Sequence, residues 1–104
     1  MELPSISNYG QYNGNNYGAH TLRVDVGPIT IWYSYKTPVA FRARGGFLDR
    51  VVHENDWGPT TGKHLNWIDT GSKEDKARRV DAETFQKLWD EHVAPWFAPE
   101  PATV

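Results

Sequence analysis

The densest run of chemically capable residues is Gly58-Pro59-Thr60-Thr61-Gly62-Lys63-His64. Glycines, threonine hydroxyls and a lysine give it the look of a phosphate loop. The spacing fails that motif, which needs four residues between its glycines and a Ser or Thr after its lysine. Here three residues separate the glycines and His64 follows Lys63. What survives is a weaker reading, in which free N–H groups at a helix start and Lys63 hold an anion. The competing reading is a capped helix with a surface lysine. The histidines, His20, His53, His64 and His92, lack the i, i+4 spacing of a helical zinc site. With no cysteine, no thiolate site or disulfide exists. His53 with Glu54 and Asp56 is the closest approach to a hard-cation cluster, and a solvated strand end explains it equally. His53, Asp56 and His64 supply the ingredients of a small hydrolase, but their spacing selects no geometry. No catalytic residue, metal or cofactor is assigned on these grounds.

The aromatic residues carry more information. Five tryptophans stand in 104 residues. Trp32 falls among Arg23, Arg42 and Arg44 if the strands pair as drawn below. An aromatic platform with arginines is how sheets hold single-stranded nucleic acid, by stacking bases and pairing phosphates. The net charge of −2 opposes a general attraction to nucleic acid or anionic membrane. Trp and Arg also dominate protein-binding hot spots. Trp57 and Trp67, with Trp32, are surplus to the helix stripe described next.

These residues need a scaffold, and residues 20 to 53 provide one. Leu22, Val24 and Val26 alternate with Arg23 and Asp25, the period of a half-buried strand. Gly27-Pro28 makes a turn. Ile29, Ile31, Tyr33 and Tyr35 alternate with Thr30, Trp32 and Ser34. Lys36-Thr37-Pro38 reads as the second turn. Val39, Phe41 and Ala43 continue the apolar face, opposite Ala40, Arg42 and Arg44. Gly45-Gly46 suits a tight hairpin, and Phe47 to His53 reads as a fourth strand. Short connections imply an antiparallel meander. One face is apolar and needs a cover; the other, with Trp32, Arg42 and Arg44, faces water or a partner.

The cover is a C-terminal helix over 81 to 94. Asp81 is a good N-cap, and Val80 and Phe85 stand at hydrophobic-staple positions. Phe85, Leu88, Trp89 and Val93 form its apolar stripe. Pro95 ends it. A short helix over 60 to 69, capped by Thr60 or Thr61, shares Leu65 and Ile68 on one face. Residues 70 to 80 read as an exposed charged connector. Residues 1 to 19, rich in Asn, Gly and Tyr, read as an ordered loop. Residues 98 to 104 read as a flexible tail. The expected class is α+β: one domain over 1 to 97, a four-stranded antiparallel meander, a short helix, and a C-terminal amphipathic helix on one face. No run approaches the ~20 apolar residues of a membrane span, so no membrane role is expected.

Three stretches carry a family resemblance: Asn-Tyr-Gly-Ala-His-Thr-Leu (16 to 22), Trp-Tyr-Ser-Tyr-Lys-Thr-Pro-Val-Ala-Phe (32 to 41), and Glu-Asn-Asp-Trp-Gly-Pro-Thr-Thr-Gly-Lys-His-Leu-Asn (54 to 66). The chain resembles small bacteriophage and prophage proteins of unknown function. In these a YFSY-x-T-x-VAF hairpin precedes a TT-[SG]-[KR]-H-L-N segment. The resemblance implies a viral origin, a place in the host-cell cytoplasm, and an accessory role. It marks Thr60, Thr61, Lys63, His64 and Asn66 as the recurring polar set. The expected function is non-catalytic binding of a host or phage protein, with self-association as a further possibility. The alternatives are single-stranded nucleic-acid binding through Trp32, Arg42 and Arg44, and a hydrolase using His64.

Overall fold

A two-residue hairpin turn needs positive φ at its first central position, and Gly27 supplies it at φ 56. The second turn makes the same demand of Tyr35, which takes φ 58. A side chain in that region costs on the order of 1 kcal/mol. The turn is therefore Tyr35-Lys36, one step earlier than expected, and Thr37 and Pro38 belong to the next strand. A computed structural model describes residues 5–10, 21–43 and 50–97, with backbone alone for Trp96 and Phe97. In chain order its strands are β1 (Ser5–Asn8), β2 (Leu22–Val26), β3 (Ile29–Ser34), β4 (Thr37–Ala43) and β5 (Val51–Val52). They form one antiparallel sheet whose spatial order is the chain order.

The class is α+β with an antiparallel sheet, as expected, but among the described residues the strands number five. The addition is β1, which pairs Ser5–Asn8 against Asp25–Leu22. Its side chains are exposed, so no burial pattern marked it in the sequence. The last strand is only Val51–Val52; the N–H of the next residue, His53, still donates to the Val39 carbonyl of β4 at 2.9 Å, and His53 also bridges in parallel to Val80. Arg44, the Gly45-Gly46 turn, His20, most of the Asn/Gly/Tyr-rich segment and the tail over 98 to 104 lie outside the described residues.

Pairing lines Ile6, Val24, Ile31, Phe41 and Val51 up in one row across the sheet. The middle of that row is buried, while Ile6 at the edge is 67% exposed. The cover is α3 (Ala82–His92), after α1 (Pro59–Ile68) and α2 (Lys73–Arg78) and before a four-residue α4 (Ala94–Phe97). Asp81 caps α3 by accepting from the Thr84 N–H at 2.8 Å. Phe41 meets Phe85 and Trp89 edge-on at 5.4 and 5.8 Å between ring centroids, a favoured aromatic geometry. Val80 and Phe85 both pack on this cluster, as the staple requires.

The opposite face differs from expectation. It too carries a helix. Trp32, Ala40 and Val52 form a row there, and Leu65 and Ile68 of α1 close over them. Val39 joins this second core, not the first. The register shifts between Trp32 and Tyr33, so Trp32 faces Ala40, Tyr33 faces Pro38, and Val39 is the extra residue. A bulge of this kind breaks strict alternation. The sheet is thus sandwiched between two helices. The stretch expected as an exposed connector contains α2, capped by Ser72, whose hydroxyl accepts from the Asp75 N–H at 3.1 Å.

Candidate binding sites

Asn55 organises the loop that leaves β5. Its Oδ1 accepts from the N–H groups of Trp57 and Gly58 at 3.0 and 3.1 Å, and its Nδ2 donates to the Gly58 carbonyl at 2.9 Å. Asn side chains fix turns in this way. The loop so held presents Trp57, which is 45% exposed. The indole rests on the buried His53 ring at 4.6 Å. His53 in turn contacts Phe85 at 5.0 Å. Beside them lies a groove of about 350 Å³ lined by Thr37, Pro38, His53, Trp57, Ala82, Phe85, Gln86 and Trp89. None of these lining residues is Lys, Arg, Asp or Glu. His53 Nδ1 donates to the Glu54 carbonyl at 2.6 Å, which fixes the ring plane. Its Nε2 is 4.0 Å from Asp56. Among the described residues, no three His, Asp or Glu side chains converge in a metal-binding arrangement.

The TTGKHLN segment forms most of α1, and it turns inward. Gly58 stands at the N-cap position with Pro59 at the first helical positions, and no side chain caps the helix. The expected cap by Thr60 or Thr61 is therefore corrected: Pro59 lacks an N–H and is already set for helical φ, so the helix begins before both threonines. Thr61 is instead buried and shares a hydrogen bond with Ser34 Oγ at 3.1 Å. Ser34 Oγ also bonds His64 Nδ1 at 2.7 Å. His64 is 0% exposed and lies 5.7 Å from both the Tyr35 and Trp67 rings, nearly parallel to the latter. This polar knot ties α1 to β3. Thr60 and Lys63 are exposed on its outer side, and Trp67 is half-buried. Asn66 accepts from Arg79 at 3.0 Å.

Trp32 is corrected as a platform for bases. It is only 5% exposed, under α1, and Arg23 and Arg50 lie over its ring at 5.5 and 5.9 Å. A base cannot stack on a ring already covered. Arg42 lines a different cleft, with Arg50, Val52, Asp69, Asp75, Arg78 and Arg79. Arg79 and Asp69 form its wall as a two-pronged pair at 2.9 Å for both contacts. The two side chains are each 6% exposed. Asp75 accepts from the Thr70 hydroxyl and N–H, which hold its carboxyl below the usual range. Arg50 donates to the carbonyl of Ile68 at the end of α1.

Thus the polar residues marked in the sequence separate into three that face outward, Thr60, Lys63 and Asn66, and a buried pair, Thr61 and His64. The sequence puts Phe85 and Trp89 on one helix stripe and Arg78 beside Arg79, but nothing in it joins Pro38 to the first pair or Arg50 to the second. Only Asn55, two residues before Trp57, carried a local sign that a tryptophan would be displayed.

The chain belongs to a family of unknown function (DUF8033), whose model matches residues 1–87. No curated protein and no solved structure matches the chain.

Proposed function

We propose that this protein is a non-catalytic binding module that takes an extended, uncharged segment of a protein partner in the groove beside Trp57. One observation carries the reading: an indole left 45% exposed in a loop that three Asn55 hydrogen bonds hold in place. Large apolar rings are normally buried, and one displayed at the mouth of an aromatic groove fits a contact role. A preorganised loop loses little freedom on binding. The lining suits a neutral occupant. Trp57, Trp89 and Pro38 offer flat apolar surfaces, and Gln86 and Thr37 offer hydrogen bonds. Aromatic grooves of this kind take proline-bearing extended peptides, which are already stiff before binding. We therefore assign the occupant as an extended peptide carrying a proline or aromatic side chain. The resemblance to small phage proteins makes the partner a host or phage protein in the bacterial cytoplasm. Among the described residues, no helix is long and apolar enough to cross a membrane.

The reading is tested by titrating the protein with proline-bearing peptides and following backbone amide shifts. Shifts should cluster at Trp57, Thr37, Gln86 and Trp89. A peptide that binds while leaving these residues unmoved contradicts the assignment.

Neither alternative gains a specific observation. The hydrolase would need substrate at His64, which is fully buried. The stacking platform would need Trp32, which lies under α1.

A further inference from the structure

The cleft between α1, α2 and the β4–β5 end of the sheet concentrates positive charge in a chain whose net charge is −2. Four guanidinium groups, Arg42, Arg50, Arg78 and Arg79, line it against two carboxylates, Asp69 and Asp75. Arg79 is consumed by Asp69. Asp75 is hydrogen-bonded by Thr70, and its charge is also felt by Arg78 and Arg50. Arg50 is steadied by the Ile68 carbonyl and by the Trp32 ring. Among the described residues, Arg42 and Arg78 form no ion pair within the charge-pair distance. The cleft therefore holds two positive charges in excess, on a wall fixed by a buried pair.

The geometry points to a binding site for a small phosphorylated molecule, whose terminal phosphate is held by Arg42, Arg50 and Arg78. Guanidinium forks match the oxygens of phosphate and bond them in pairs. A phosphomonoester carries close to two negative charges at neutral pH, which equals the excess in the cleft. The volume of about 260 Å³ lies just below the usual range for drug-sized ligands and suits a smaller molecule. Only Val52 offers an apolar wall, so the anionic group dominates recognition. This site is separate from the groove at Trp57, and the two stand or fall independently.

The test is calorimetric titration, at a low and a high ionic strength, with inorganic phosphate, a nucleoside monophosphate, and a single-stranded oligonucleotide. Saturable one-to-one binding of phosphate and of the monophosphate is expected. Arg42→Gln with Arg78→Gln should weaken it about tenfold or more, since charge-assisted bonds are lost. The unfolding midpoint should hold, because neither residue is in the Arg79–Asp69 pair. Should the double variant unfold, Arg78→Gln alone is decisive, as that residue is exposed. Absence of saturable binding overturns the proposal. So does binding that the substitutions leave unchanged. An oligonucleotide that binds with steep salt dependence where the monophosphate does not would also overturn it, making the cleft a nucleic-acid track.

Discussion

His64 shows how a residue with catalytic chemistry serves as structure. Its ring is sealed from water and its Nδ1 is tied to Ser34, which is tied to Thr61. Such a knot fixes where α1 sits on the sheet. Removing the ring leaves a cavity and takes one of its two partners from the Ser34 hydroxyl. His64→Ala should therefore destabilise by about 2–4 kcal/mol, read from urea unfolding. An unchanged midpoint would contradict that role. The carboxylates make a second residue-level case. Asp75 and Asp81 are held below the usual range by the hydroxyls and N–H groups of Thr70 and Thr84. Burial pushes Asp25 up, but Thr30 and Arg23 outweigh it and bring it down. A carboxyl with a lowered native pKa stabilises the fold above its ordinary value of 3.8 and loses that contribution as pH falls through the native value. Urea midpoints should fall from about pH 6 to about pH 3, and Asp75→Asn with Asp81→Asn should flatten the fall. An identical acid limb in that variant would refute the assignment.

At the scale of elements, α3 and the hairpins were legible because their signals are local. Asp81, Val80 and Phe85 lie within five residues of one another, and cap and staple chemistry reads directly from such a stretch. The alternation of Ile29, Ile31 and Tyr33 against Thr30 and Ser34 is equally local. Trp32 was not legible. Its burial depends on Leu65 and Ile68, more than thirty positions away in sequence, and polar neighbours such as Arg23 and Arg42 made its face look wet. Val39 was misassigned because a bulge shifts parity without any marker residue. The short edge strand β1 was hidden because an exposed edge needs no apolar pattern. Docking of α3 itself supports a firm prediction. Trp89 packs edge-on to Phe41, so Trp89→Ala should cost about 3–5 kcal/mol in chemical unfolding. A cost below about 1 kcal/mol would mean the helix is not held there.

At the scale of the whole molecule, the two helical covers leave two features outward. One is a neutral aromatic groove beside Trp57; the other is an arginine cleft at the end of α1. A small domain that buries Trp32 on one face and leaves Trp57 exposed at the rim of that groove on the other has separated structural from displayed aromatics. The displayed one carries the functional account. Trp57→Ala removes an exposed ring, so it should change stability by no more than about 1 kcal/mol. The most direct measurement is the affinity of a proline-bearing peptide for the native protein and for Trp57→Ala, with unfolding midpoints taken alongside. The account expects binding to weaken by a factor of about ten or more while the midpoint holds. Equal affinity in the two proteins would contradict it.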